Sequence, residues 1–261
     1  MKMNKVICAL TLSLCCNAVH ATDWHLGLSG FYALSYIQGF QQTPKGGQVG
    51  STSPRRPNYK NLHIRTNSDT QLGATFGYNA LQLELDYFPI HLDGEMILPS
   101  DLITHDIPLS AGRYFSAHVN DELYSLRMSY IHTMCSRWQL QPKANIHWLS
   151  HDYHFQSGSL SSSRVFAASG ISVGLQSDYQ LTHHWLLSTN VDLAIPVTNL
   201  DVYQAKLAVG YQSFHNHFTL TPTFSVAWHE VRFKDKQTIP NFLKYTAFPT
   251  VALGIIINWK N

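Results

Sequence analysis

The stretch "NALQLELDYF", residues 79–88, switches between apolar and polar side chains at almost every step. Leu81, Leu83, Leu85 and Tyr87 fall on one side of an extended chain; Gln82, Glu84 and Asp86 fall on the other. Successive side chains of a strand point to opposite faces, so the spacing predicts a strand with one apolar face and one ionic face. The same pattern fills most of the chain after residue 23. "DWHLGLSGFYALSYI" sets Trp24, Leu26, Leu28, Tyr32, Leu34 and Tyr36 against His25, Gly27, Ser29 and Ser35. "LYSLRMSYIH" sets Tyr124, Leu126, Met128 and Tyr130 against Ser125, Arg127 and Ser129. "QLGATFGY", "WQLQPKANIHW", "SGISVGLQSDYQL", "WLLSTNVDLAIPV", "YQAKLAVGYQ", "FTLTPTFSVAW" and "PTVALGIIINW" behave alike, which makes ten predicted strands. Each runs about 9–11 residues, and Pro142, Pro196, Pro222 and Pro249 are expected at bulges or rims.

The large aromatics of the apolar face gather at both strand ends. Trp24, Tyr78, Trp138, Tyr179, Trp185, Tyr211, Phe218 and Trp259 lie beside short turns near 79–80, 133–137, 182–184 and 213–217. Tyr36, Tyr87, Tyr124, Trp148, Tyr203, Trp228 and Tyr245 lie beside longer connections near 41–65, 88–121, 150–165 and 234–243, with a shorter exception near 198–202. Two aromatic belts with aliphatic residues between them match the two interfaces of a bilayer. Short turns on one side and long loops on the other, with both termini on the short side, fit a barrel crossing a bacterial outer membrane. The leucines of "LQLELDY" are therefore expected to face lipid, and Glu84 and Asp86 the lumen. The fold class expected is all-β: a membrane-spanning antiparallel up-and-down β-barrel of about ten strands, a single domain over residues 22–261.

Composition narrows the setting. Lys2 and Lys5, the apolar run Val6 to Cys16, and Val19-His20-Ala21 lay out a signal peptide over residues 1–21. Cys8, Cys15 and Cys16 would leave with it, so Cys135 alone remains and no internal disulfide is expected. A net charge of +2 argues against a nucleic-acid partner. After the signal, no apolar run reaches the ~18 residues of a spanning helix, which says nothing against a barrel.

The chain resembles small bacterial outer-membrane β-barrel proteins over all of its mature sequence. Such proteins usually end in an aromatic residue; here the end is Trp259-Lys260-Asn261. The resemblance implies an outer-membrane location, insertion by the barrel assembly machinery, contact with outer-membrane lipid and lipopolysaccharide, and a monomer. An extracellular ligand is left open.

The expected lumen sets Glu84, Asp86, Asp178 and Asp192 against Arg127, Lys143 and Lys206. Buried charges must be paired, so these predict a lumen filled by a polar salt-bridge network, with Glu84–Arg127 as the first expected pair. A partial resemblance to the omptin class of outer-membrane proteases supplies an alternative. It rests on the strand count and on Glu84 and Asp86, two carboxylates one residue apart on the third strand. That class also carries an Asp-x-His pair at its seventh strand; here "NVDLAIPVTNLD" has Asp192 without a histidine. An Asp-x-His occurs instead in "HDYH", as Asp152 and His154 at the end of the fifth strand. The catalytic candidates for an endopeptidase are thus Glu84, Asp86, Asp152 and His154. A narrow channel is the second alternative; the residues favour a structural or surface-interaction role over both, and no enzyme over an enzyme.

His132, His183, His184, His215 and His217 crowd the short-turn side with Cys135, yet no spacing suits a structural zinc site, so no metal or cofactor is expected. Arg55, Arg56, Lys60, Arg113, Arg232, Lys234, Lys236 and Lys244 place positive charge near the outer rim, where lipopolysaccharide phosphates would be their partners. The expected function is structural or surface-interacting, through the long loops.

Overall fold

The computed structural model describes residues 24–42, 58–60, 62–104, 107–236 and 240–260. The signal segment and both Arg55 and Arg56 lie outside them. Ten long strands build the molecule: β1 (Trp24–Gln42), β2 (Thr66–Tyr78), β3 (Leu81–Ile97), β4 (Tyr114–Tyr130), β5 (Trp138–Ser157), β6 (Leu160–Gln180), β7 (Trp185–Ala194), β8 (Leu200–Tyr211), β9 (Phe218–Lys234) and β10 (Phe242–Lys260). Each pairs antiparallel with its sequence neighbours, and β1 pairs with β10 to close the ring. Closure leaves no open sheet edge, the condition for placing a β-sheet in lipid.

Several strands are longer than a membrane crossing requires. β3 has 17 residues, β5 20 and β6 21, whereas β7 has only 10. Much of the expected long connection 88–121 is therefore strand. The remainder holds a small hairpin, Leu102–Thr104 with Ile107–Leu109. The expected loop at 150–165 is a tight turn between β5 and β6, with Gly158 at φ +63°. The opposite end carries the short turns, among them Asn79-Ala80, where Asn79 adopts φ +54°. Asparagine tolerates that left-handed conformation better than most residues.

β10 holds one extra residue relative to both neighbours, between Ala247 and Thr250. A bulge of one residue exchanges the two faces of a strand. Val251 and Leu253 consequently point out while Leu243, Tyr245 and Ala247 point in. Tyr245, expected in the outer aromatic belt, is instead an interior residue for this reason. Pro249 sits at the bulge, but Pro142 and Pro222 pair in register with their rings on the outer face, so they mark no irregularity.

Inside, the barrel is divided in two. The loop-side half encloses a hydrophobic core that includes Ile90, Leu92, Phe115, Leu149, Tyr153, Phe155, Val231 and Leu243. Tyr59, Leu62 and Ile64 fold into it from the first connection. This strap is fixed by Tyr59 N–H to the Gly39 carbonyl (3.1 Å) and Glu95 N–H to the Leu62 carbonyl (3.0 Å). Gly94 permits the approach: a Cβ there would lie 2.4 Å from the Leu62 oxygen. The turn-side half is polar.

Candidate functional site

The turn-side lumen is organised by Arg127. Glu84 and Arg127 are direct cross-strand partners on β3 and β4, so backbone register alone brings them together. Arg127 Nη1 lies 2.8 Å from Asp86 Oδ2 and 3.4 Å from Glu84 Oε1. Its Nη2 donates to Gln204 Oε1 on β8 at 3.3 Å, reaching across the lumen as a strut. A second group surrounds Asp192, which meets Lys143 Nζ at 3.3 Å and accepts from Asn145 (3.1 Å) and Asn190 (2.9 Å). Asp178 has neutral donors: Ser188 at 2.6 Å, Gln141 at 2.8 Å and Gln176 at 3.0 Å. Lys206 places its ammonium 4.5 Å from the centre of the Phe31 ring. His147 bridges Ser125 (2.8 Å) and Ser172 (2.9 Å).

These groups line the wall but do not fill the space. A cavity of about 1150 Å³ begins among turn residues such as Asn79 and Gln212 and ends at Phe88, Leu123, Val202 and His229. The expectation of a polar lumen filled throughout is thus corrected in both halves. The turn-side half is a hollow polar cup. The loop-side half is filled, but by apolar side chains.

The outer surface of the same half is the reverse of its interior. Leu28, Leu34, Leu83, Leu85, Met128, Leu175, Leu193, Leu207 and Leu253 are all exposed. Above the turns they are edged by exposed Trp24, Tyr78, Tyr130, Trp138, Tyr179, Trp185 and Tyr211, and below the loops by Tyr36, Tyr124 and Trp148. No water-soluble protein leaves a continuous apolar band of this extent around itself; hydrocarbon is the solvent that suits it. The protein is an outer-membrane β-barrel. No protein-family model matches the chain, and no curated protein matches it. Solved structures similar to it include Escherichia coli outer-membrane protease OmpT (7% identity over 92% of this chain and 96% of that one, TM-score 0.49). Others are Yersinia pestis Ail, the attachment invasion locus protein (9%, 90% and 98%, TM-score 0.35), and Pseudomonas aeruginosa OprG (11%, 92% and 96%, TM-score 0.39). At these identities the likeness concerns fold and says nothing of residues in the lumen.

With the bilayer in place, the remaining candidates fall into position. Glu84 and Asp86 face the lumen of the outer-membrane barrel. Asp152 and His154 lie on β5 beyond Trp148, on the outward face of the wall, while their neighbours His151 and Tyr153 point inward. The wall separates the two pairs, so they cannot act on one water, which a base and its partner must both reach. This corrects the combined protease candidate.

Arg232, Lys234 and Lys244 stand together on the outward face of β9 and β10, above the outer belt. Arg232 and Lys244 are direct cross-strand neighbours, and both bind the carboxylate of Glu230. Arg232 packs over Tyr203 and Lys234 over Phe242. Lys236 is exposed just beyond β9, Lys60 on the strap and Arg113 where β4 begins, so the six described basic positions do not form one patch. Among the described residues, no three His, Cys, Asp or Glu side chains are grouped to hold a metal ion. The turn histidines pack on rings instead: His184 lies 5.3 Å from Tyr211 and His215 4.5 Å from Phe218. Cys135 is exposed and free.

The loop-side core contains polar groups that were not singled out from the sequence. His151 Nδ1 donates to Asp121 Oδ1 at 2.5 Å and His151 Nε2 meets the Gln41 amide at 2.9 Å; all three residues are buried. Burial pushes the Tyr59 and Tyr245 hydroxyls well above the usual tyrosine range, and the carboxylate of Asp121 adds to the effect. Burial also raises Tyr153, against a hydrogen bond from Thr104 that lowers it.

A signal for this core does exist in the sequence. In β3 the apolar set changes from odd positions (Leu81, Leu83, Leu85, Tyr87) to even ones (Phe88, Ile90, Leu92, Met96) while backbone pairing with β4 continues without a shift. β4 and β5 change likewise at Leu123/Tyr124 and Trp148/Leu149. Where the apolar face swaps and the register does not, the strand has passed from lipid into water.

Proposed function

We propose that this outer-membrane barrel is a sealed surface protein that acts through its extramembrane cap and not through its lumen. The observation that carries this is the close-packed core above the Arg127 layer, built from long strands, the strap and the small hairpin. Side chains such as Phe115, Phe155, Leu149 and Leu243 are fully buried there. A pore needs a continuous aqueous path, and this core stands across it. A rigid platform raised above the bilayer on strand extensions is instead suited to presenting the connecting segments to partners outside the cell. The endopeptidase alternative lacks a histidine partner for Glu84 and Asp86 from the "HDYH" motif.

The test is one reconstitution read in two ways. The refolded barrel, with folding confirmed by its shifted gel mobility before boiling, is placed in planar bilayers containing lipopolysaccharide and is also assayed for peptide cleavage. The expected result is no conductance step and no cleavage. Discrete conductance steps would establish the channel. Cleavage that disappears in a folded Glu84→Gln/Asp86→Asn variant would establish the endopeptidase.

A further inference from the structure

The outer wall of the cap is mostly polar, with Ile97, Tyr114 and Val165 exposed among the polar residues, and its two sides differ in charge. On β3, β4 and β5 the outward positions above the outer belt carry Asp93, Glu95, Glu122 and Asp152, with His91, His118 and His154 among them. No lysine or arginine occupies an outward position on this stretch of wall. On β9 and β10 the outward positions at corresponding height carry Arg232, Lys234 and Lys244. Glu230 is buried beneath two of these cations, Asp201 on β8 is the cross-strand neighbour of Arg232, and Lys234 lies over the Phe242 ring.

Position in the ring makes the contrast geometric. The ten strands run in sequence order around the closed barrel, so β4 and β9 stand five places apart, at opposite poles. The heights agree as well: Glu122 and Asp152 lie two and four residues beyond the belt residues Tyr124 and Trp148, and Arg232 lies four beyond Trp228. Barrels embedded upright in one membrane are held at a common depth by their aromatic belts. The acidic pole of one copy therefore meets the basic pole of the next at the same level.

We propose that a second copy of this chain is the partner of each pole, with barrels associating head to tail in the plane of the membrane. The contact is heterologous, since one patch meets a different patch. Poles half a turn apart generate open rows in place of closed dimers. Two-dimensional confinement supplies much of the effective concentration, so the contact needs only complementary charge and modest area. Such charges are screened beyond about 10 Å at 0.1 M salt, so association is sensitive to ionic strength. The proposal is independent of whether the cap has any foreign ligand.

The test uses the full barrel in lipid vesicles and a zero-length carbodiimide, which condenses a carboxylate with an adjacent amine and loses water. Wild type is expected to give a ladder of dimers, trimers and larger species at low salt, and at least tenfold less of each at 1 M salt. Lys234→Glu/Lys244→Glu carries two acidic poles, and Asp93→Lys/Glu95→Lys/Glu122→Lys/Asp152→Lys carries two basic ones. Each variant alone, once shown to be folded, is expected to stay monomeric. An equimolar mixture of the two restores the ladder. A wild type that remains monomeric would overturn the proposal, as would a ladder that persists in either variant. A ladder formed in phosphatidylcholine vesicles but lost when lipopolysaccharide is added would also overturn it, and would give the basic pole to lipid phosphate.

Discussion

The two halves of this barrel run on the same strands and obey opposite rules. Within the bilayer, apolar residues face out and ionic residues face in; in the cap, the same strands turn apolar residues in and ionic residues out. Nothing in the backbone changes at the border for β3, β4 and β5. What changes is the solvent outside, and the side chains follow it. The cap is stabilised as a soluble domain is, by removing apolar surface from water. The membrane half gains nothing from that term on its outer face and relies on closed backbone pairing and on ion pairs within the cup.

That contrast can be broken first in the cap. Phe155 is fully buried and stacks on Phe115 at 5.6 Å between ring centres. Phe155→Ala is expected to lower stability by about 3–5 kcal/mol, read as a fall in the urea midpoint in detergent, with proteolysis appearing first around residues 58–64. In the cup, Arg127→Met leaves Glu84 and Asp86 without their cation. The cavity admits water, so the expected loss is smaller, about 1–3 kcal/mol, and adding Glu84→Gln and Asp86→Asn should recover most of it. If the triple variant stays as weak as Arg127→Met, the ion pairs are not what Arg127 supplies.

Alkali should separate the halves by a different route. The folded pKa values of Tyr59 and Tyr245 lie above the unfolded value of about 10, so their contribution is complete below pH 10. Above it the unfolded chain loses protons that the folded chain keeps, and stability falls as pH rises. The slope expected is about 1.4 kcal/mol per pH unit for each such tyrosine, and Tyr245→Phe should remove one share of it. Gly94→Ala forces a Cβ against the Leu62 carbonyl and should loosen the strap by about 1 kcal/mol, seen as faster cleavage near residue 62 with the membrane half unchanged. His217→Ala, on an exposed turn, should change the urea midpoint by less than about 0.5 kcal/mol.

The membrane half was legible in the sequence because lipid and lumen impose a strict period of two on every strand. Leu81, Leu83 and Leu85 state the lipid-facing side, and Glu84 near Arg127 follows from their strands being neighbours across the second long connection. The cap was not legible by the same rule. Its strands keep the period of two but invert its meaning, so "FPIHLDGEMI" looks like a polar loop to a reader searching for apolar residues at odd positions. The β10 bulge hid Tyr245 for a related reason: one inserted residue reverses a face without altering composition. His151 and Asp121 were missed because their contact joins β4 and β5 inside a core that had not been recognised. The placement of Asp152 and His154 outside the wall follows from the same parity, once that core fixes which residues of β5 face in.

Cap residues come from both ends of the chain. Ile37 of β1 and Tyr59 of the strap share one core with Leu243, Tyr245 and Ala247 of β10. Those groups can meet only after the first and last strands have paired, since the seam between β1 and β10 runs directly beneath them. Native packing of the cap is therefore among the last contacts made as the chain inserts, and a barrel that has not closed cannot form it. Contacts so distant in sequence carry the largest loop-closure penalty and form slowly. Burial of Tyr59 and Tyr245 thus serves as an internal clock for assembly, reporting the moment at which an open curled sheet becomes a closed cylinder.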